Sequence, residues 1–362
     1  MGEEREDANF YVEHFKSQLT RDGSVPGSKE STWSAVVADN VGYMRNAMHS
    51  LEIAFPLLLC YGCVAHLLDL LCEDYAKLLD QVIDDAIFIV VFVTSHERLR
   101  QMFLRFKGPT GIGLRTLPDT RFSNAALMLR SVLDNCMNLR ELLDRKHEAE
   151  YKEATINKNG TRVAHIQRFR ELIGNMRFWD QLQAAHAMLS PLEDSIRFIE
   201  GDNTRMSFVC ELFTGLMKDL HQWDCSALDP HSVKNLKKSA NTTFLRRWKG
   251  EDRLVALFHP IHEVAFLLDP FMAEAGQTLN ASTRHHVRTI LGKYYSSPAE
   301  MYATMQEFNE YIVGVGIFTE ARQEAMAEAK ERYARVLSTW RAEHQGRDPS
   351  HTQMAIMRCH SS

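Results

Sequence analysis

Asp39 closes a short apolar run, Val36-Val37-Ala38-Asp39-Asn40. A run of that length reads as a buried strand, and an acid at its end stands where a sheet edge can present oxygen ligands to a divalent cation. The same residue type in the same place also caps a following helix, by accepting the orphan N–H groups of the first turn. Cys63 and His66 follow at CxxH spacing, which is half of a zinc framework. The second half is missing: Cys60, Cys72 and Cys359-His360 stand in no zinc-like spacing, so the pair reads first as structural. A third group is basic. Lys234, Lys237, Lys238, Arg246, Arg247, Lys249 and Arg253 crowd one stretch around Trp248. Such a run could hold phosphates, and its plainer reading is a solvated helix face.

These residues need elements to position them. A helix over roughly 9–19, a Gly/Ser/Pro connection over 22–31, the Asp39 strand and a helix opening at Val41 make the start of an α/β unit. A second apolar stretch, 55–60, leads into Cys63 and a helix through Leu70. Ile87 to Val93 has strand propensity, but the length of the segment and its charged flank His96-Glu97-Arg98 favour a buried helix. Lys107 to Gly113 is a break rich in glycine and proline. Beyond it the periodicity is helical. Phe122, Ala126, Leu129, Leu133 and Cys136 fall on one face, and Phe178, Leu182, Ala185 and Leu189 on another, which Pro191 should end or restart. Thr319 is placed as the N-cap of a long last helix with Met326, Ala329, Tyr333, Val336 and Trp340 as its apolar stripe. Glu328 with Arg332 and Glu331 with Arg335 give i,i+4 pairs on its wet side.

In this order, the Asp39 corner, Cys63–His66, Thr120-Arg121-Phe122, Phe178-Trp179, His259 to Phe271 and Gly314 to Phe318 resemble the catalytic region of hAT-type transposases and genes derived from them. The resemblance implies a partial ribonuclease H-like α/β unit carrying a large all-α insertion domain, and a chain that is predominantly helical overall. It divides the chain into a core at 1–107, a helical insertion at 108–310 and a C-terminal long helix with the start of a dimerisation region at 311–362. In that family three acids hold the divalent ions of strand cleavage. Asp39 matches the second acid and is the expected vestigial catalytic and metal-binding residue. The positions of the first and third are expected to lie outside this chain, so Mg²⁺ or Mn²⁺ would matter only in a catalytically active form.

The resemblance also places Cys63 and His66 near the DNA-handling face, and Arg121 with Phe122 where a ring can stack on an unpaired base. Arg246, Arg247, Trp248 and Lys249 join them as candidate DNA contacts. The expectation is a transposase-derived, non-catalytic nuclear protein that binds DNA or a protein, with self-association through the last helix. The alternatives are an active metal-dependent nuclease using Asp39 with Asp84 or Asp85, and a transposon remnant without function.

Composition sets the bounds. A chain of 362 residues with 45% hydrophobic and 25% charged residues is of ordinary globular type. The net charge of −5 excludes a strongly basic nucleic-acid module and confines any phosphate contact to a local patch. Seven cysteines without regular spacing suggest no disulfide framework. The polar, acidic first residues read as no signal peptide, and the longest apolar run, Ala86 to Val93, is too short to span a bilayer.

Overall fold

Two short strands anchor the first half of the molecule. In this computed structural model β1 (Ala35–Ala38) pairs in parallel with β2 (Leu59–Gly62), Ala35 opposite Leu59 and Ala38 opposite Gly62. Parallel neighbours need a crossover, and the helix Gly42–Ala54 supplies it. The structure describes residues 8–21, 23–28, 31, 33–117, 124–156, 161, 163–201, 204–228, 233–249, 258–272, 280–295 and 297–361.

Among the described residues every other regular element is helical. The chain runs α1 (Ala8–Leu19), β1, α2 (Gly42–Ala54), β2, α3 (Val64–Leu78), α4 (Asp80–Ser95) and α5 (Glu97–Lys107). It continues through α6 (Asn124–Asp134), α7 (Cys136–Glu141), α8 (Glu148–Ala154), α9 (Ile166–Gly174), α10 (Met176–Ile199), α11 (Phe208–Gln222) and α12 (Val233–Lys249). The last elements are α13 (Pro260–Leu268), α14 (Ala281–Leu291), α15 (Pro298–Val313), α16 (Thr319–Glu343) and α17 (His351–Ser361). Two compact units divide them. The first is Met1–Leu68 with Arg197–Lys218 and Phe244–Ser362, and the second is Asp69–Ile196 with Asp219–Thr243.

In the first unit the two faces of the strand pair feed two cores. Strand side chains alternate between faces. Val36, Leu58 and Cys60 are buried with Leu19 of α1 and Met48 and Leu51 of α2. Leu59, on the opposite face, joins Val264, Leu267, Val287, Ile290, Met305, Phe308 and Ile312 from α13, α14 and α15. The Val36-Val37 run is therefore not buried on both sides, since Val37 is 51% exposed. A third cluster stacks Trp248 on Phe213, 4.2 Å between centroids, with Phe244 beside them. Helix α17 comes so close to α11 that a Cβ on Gly215 would meet the carbonyl oxygen of His351 at 2.8 Å, which explains a glycine in mid-helix there.

The second unit is wholly helical among the described residues. Its segment 80–95 is helix, as its length favoured over its β-branched composition, and it buries Val82, Ile83, Ala86, Ile89, Val90, Phe92 and Val93. Phe92 stacks on Phe169 at 4.7 Å. Two of its buried aromatic polar groups are paired, Tyr75 Oη donating to the Ala240 carbonyl and Trp223 Nε1 to the Ala184 carbonyl, while the buried Tyr151 hydroxyl has no hydrogen-bond partner among the described residues.

Two helix boundaries differ from expectation. Pro191 neither ends nor restarts a helix, and α10 runs straight through it. Met188, Leu189 and Leu192 are buried around the proline, and that apolar burial offsets the lost backbone bond, a cost of about 3 kcal/mol. Ser195 Oγ donates to the Pro191 carbonyl. Thr319 is the first residue of α16 and Phe318 the N-cap. The Thr319 hydroxyl turns backward, to the carbonyls of Gly314 and Gly316. The Glu328–Arg332 and Glu331–Arg335 pairs are formed.

Candidate functional site

The first unit holds a cavity of about 620 Å³ beyond the carboxyl ends of β1 and β2. Four stretches of chain wall it, and each does so for a legible reason. Helix α2 turns Arg45, Met48, His49 and Glu52 toward it, at the i, i+3, i+4, i+7 spacing of one helix face. Helix α14 and its end do the same with Ser282, His285, His286, Thr289 and Lys293. Asn40, Tyr61 and Gly62 form the strand end, and Lys249, Phe258 and His259 complete the rim.

The strand end is built by exclusion of a side chain. A Cβ on Gly62 would fall inside the amide group of Asn40, so the bare glycine lets that amide lie across β2. Asn40 Nδ2 is buried and has no hydrogen-bond partner among the described residues. A donor left unpaired in this way costs about 1–3 kcal/mol; Asn40 lines the cavity, while its Nδ2 is packed out of reach of solvent.

Charge on the walls is opposite to that of the chain. Arg45, Lys249 and Lys293 face one carboxylate, Glu52, in a protein whose net charge is −5. Lys293 Nζ lies 3.3 Å from Glu52 Oε1 and donates to the Leu58 carbonyl at 3.2 Å, so it ties α14 to α2 and the strand pair. Lys249 Nζ sits 5.1 Å from the Phe258 ring centre. The imidazole of His286 is held through Nδ1 by Glu263, whose other oxygen accepts from Thr283 Oγ1 at 2.8 Å. Nε2 is then the ring nitrogen left for the cavity, an orientation of the kind a carboxylate imposes on catalytic and ligating imidazoles.

Neither Cys60 nor Tyr61 is an activated nucleophile. Burial, reinforced by the Glu52 charge and opposed by Lys293, pushes the Cys60 thiol up to about 12, so it stays a thiol at neutral pH. Burial likewise raises the Tyr61 phenol. Behind the rim, His262 is fully buried, and burial together with the neighbouring His259 lowers it to about 3. Its Nδ1 accepts from the His259 backbone N–H while His259 Nδ1 accepts from the Ile261 N–H, a reciprocal cap on α13.

The residues expected from sequence are only partly gathered. Lys249 is on the cavity wall, and Asp39 is exposed one residue before Asn40, with the backbone N–H of Cys63 bonded to the Ala38 carbonyl beside it. Cys63 and His66 are half-buried at the start of α3 and line no wall of it. Arg246 is exposed and Arg247 half-exposed on α12. Trp248 is only 7% exposed, so its ring serves the core stack with Phe213 and is not presented to a base. Arg121, Phe122 and Arg253 lie outside the described residues. Among the described residues no three His, Cys, Asp or Glu side chains come together in a group that could hold a metal ion. No helix among the described residues is long and apolar enough to cross a membrane.

Sequence reading missed Asn40, Arg45, His286 and Lys293. Arg45–His49–Glu52 and Ser282–His285–His286–Thr289 are polar stripes at helical spacing, a signal that also marks any solvated face. Compared with known families, curated proteins and solved structures, this chain finds no match.

Proposed function

We propose that this chain is a transposase-derived nuclear protein that binds nucleic acid without cleaving it, built on a ribonuclease H-like α/β unit with helical additions. The observation that carries the reading is the cationic cavity beyond the carboxyl ends of two parallel strands, with Lys249 of the basic helix on its wall. In open α/β sheets ligands gather at that end of the strands. The patch of positive charge in an acidic chain is what phosphate recognition needs. Arg246 and Arg247, on the same helix, extend the basic surface outside the cavity.

The test is fluorescence anisotropy with a labelled oligonucleotide over a salt series. Binding that weakens linearly in log salt, and weakens further in a chain carrying Arg246→Gln, Arg247→Gln and Lys249→Gln, supports the reading. Affinity indifferent to both would sink it. A nicking assay on supercoiled plasmid with Mn²⁺, with Asp39→Ala as the control, tests the second half. Nicking lost in the variant would return the protein to the enzymes.

A further inference from the structure

We propose that the cavity of the first unit cleaves small carboxylic esters, with Ser282 as nucleophile, His286 as its base and Glu263 as the residue that aligns the imidazole. The inference goes beyond the nucleic-acid reading and stands without it.

The imidazole is the firmest part. Glu263 of α13 accepts from His286 Nδ1 through one oxygen and from Thr283 Oγ1, at 2.8 Å, through the other. A neutral ring that donates from Nδ1 to a carboxylate keeps its lone pair on Nε2. Nε2 makes no hydrogen bond among the described residues and, unlike Nε2 of His262, is not sealed from solvent. His286 lines the cavity, so the lone pair opens on it. The same bonds tie α13 to α14, but a tie between helices does not call for a free nitrogen on the cavity side.

The hydroxyl stands one turn away. Ser282 precedes His286 by four residues on α14, a spacing that puts Cβ atoms about 5–6 Å apart on one face. Helical side chains lean toward the N-terminus, which carries the ring toward the serine. Both residues line the cavity, and Ser282 is exposed. No hydrogen bond joins them here; catalytic contacts of this kind often close only with substrate bound. Ser282 is the second residue of α14, so its N–H has no helical carbonyl to serve and can donate to an oxyanion formed at its own side chain. Lys249 brings a cation to the same wall. Its Nζ lies 5.1 Å from the centre of the Phe258 ring, which the His286 ring meets at 5.0 Å.

These parts select the substrate. Met48, Phe258 and Ile290 give the cavity apolar wall for an acyl chain, and about 620 Å³ lies within the roughly 300–1,000 Å³ of small-ligand sites. An ester offers a carbonyl carbon to the serine oxygen, and its alcohol leaves with a single proton, which one imidazole can carry. The Ser282 proton passes to Nε2 as Oγ bonds to the carbonyl carbon. The bond from that carbon to the alcohol oxygen then breaks, and the alcohol takes the proton from Nε2. Water repeats the sequence on the acyl-serine. It gives Nε2 a proton, its oxygen bonds to the acyl carbon, and the Ser282 oxygen departs and recovers that proton. Ester and water become acid and alcohol.

The experiment treats the full chain with a fluorophosphonate probe, whose P–F bond an activated serine oxygen displaces, and locates the label by peptide mapping. Hydrolysis of p-nitrophenyl acetate is followed beside it. The expected result is a label on Ser282, absent in Ser282→Ala, with labelling and hydrolysis slowed at least about a hundredfold in His286→Gln at unchanged circular dichroism. In Glu263→Gln the acid limb of the rate–pH profile should move to lower pH, since an amide stabilises an imidazolium less than a carboxylate does. Loosening of the two helices alone would not move that limb. No label on Ser282, hydrolysis unchanged in Ser282→Ala, or rates unchanged in a folded His286→Gln overturns the proposal. Should His286→Gln fail to fold, Ser282→Ala, an exposed substitution, decides alone.

Discussion

The amide of Asn40 lies over the bare Cα of Gly62, at the position where any other residue would place a Cβ. Gly62 ends β2 and Asn40 lies two residues beyond the end of β1, and both line the cavity. Gly62→Ala should push the amide aside, because a terminal amide yields more easily than backbone. Oligonucleotide affinity is expected to fall several-fold while unfolding stability changes by about 1 kcal/mol or less. Chemical denaturation beside titration checks both, and a variant that binds normally would show that the Asn40 amide plays no part.

Trp248 and Arg246 separate core from surface on one helix. Trp248→Ala removes a ring stacked 4.2 Å from Phe213, and truncation of a buried aromatic costs about 3–5 kcal/mol. Arg246→Ala, at an exposed position, should leave stability within about 0.5 kcal/mol. A Trp248→Ala protein as stable as the parent would contradict the packing described for the first unit.

Acid sensitivity should trace in part to His262. Its folded pKa, about 3, lies below its ordinary 6.5. Between these values the unfolded chain takes up a proton that the folded chain refuses, so stability falls as pH falls through that window. The slope is up to about 1.4 kcal/mol per pH unit. His262→Gln keeps a side-chain acceptor for the His259 N–H, as Gln does in a capping box, and removes the titration. Between pH 6.5 and 5 the parent should lose about 2 kcal/mol more than the variant, read from urea melts at the two pH values. Parallel losses would remove His262 as the cause.

Arg322 is buried at 2% exposure, donates Nη1 to the Tyr311 carbonyl at 2.6 Å, and leaves Nε and Nη2 without partners among the described residues. A buried charge so thinly satisfied is often replaced by an apolar side chain at no cost. Arg322→Met is therefore expected to hold or raise the melting temperature. A loss above about 2 kcal/mol would mean that the guanidinium is better supported than its bonds indicate.

Much of the local structure is legible in single segments. The strand before Asp39, the helix after it and helix α4 follow from short-range pattern and length. Tyr333 in the last-helix stripe meets Arg358 of α17 at 5.3 Å. Pro191 misleads because the rule for proline is local and the burial that overrides it is not. The cavity was illegible for a related reason. Glu52 and Lys293 meet across 241 positions, and nothing in the periodicity of either helix names the other. Lys249 was visible only as one charge in a run, without the property that distinguishes it from Arg246.

The first unit is assembled from three separated stretches of chain, 1–68, 197–218 and 244–362. A ribosome emits residues in order, at about 5–20 per second. The strand pair and α1 leave it early, yet Leu59 waits for partners as late as Ile312, and Gly215 for the backbone of His351. During synthesis the unfilled face behind Leu59 is therefore bare for about ten to fifty seconds, long enough for chaperone capture or misassociation. Expression yield should depend on translation speed and chaperone supply more than the stability of the finished protein would suggest.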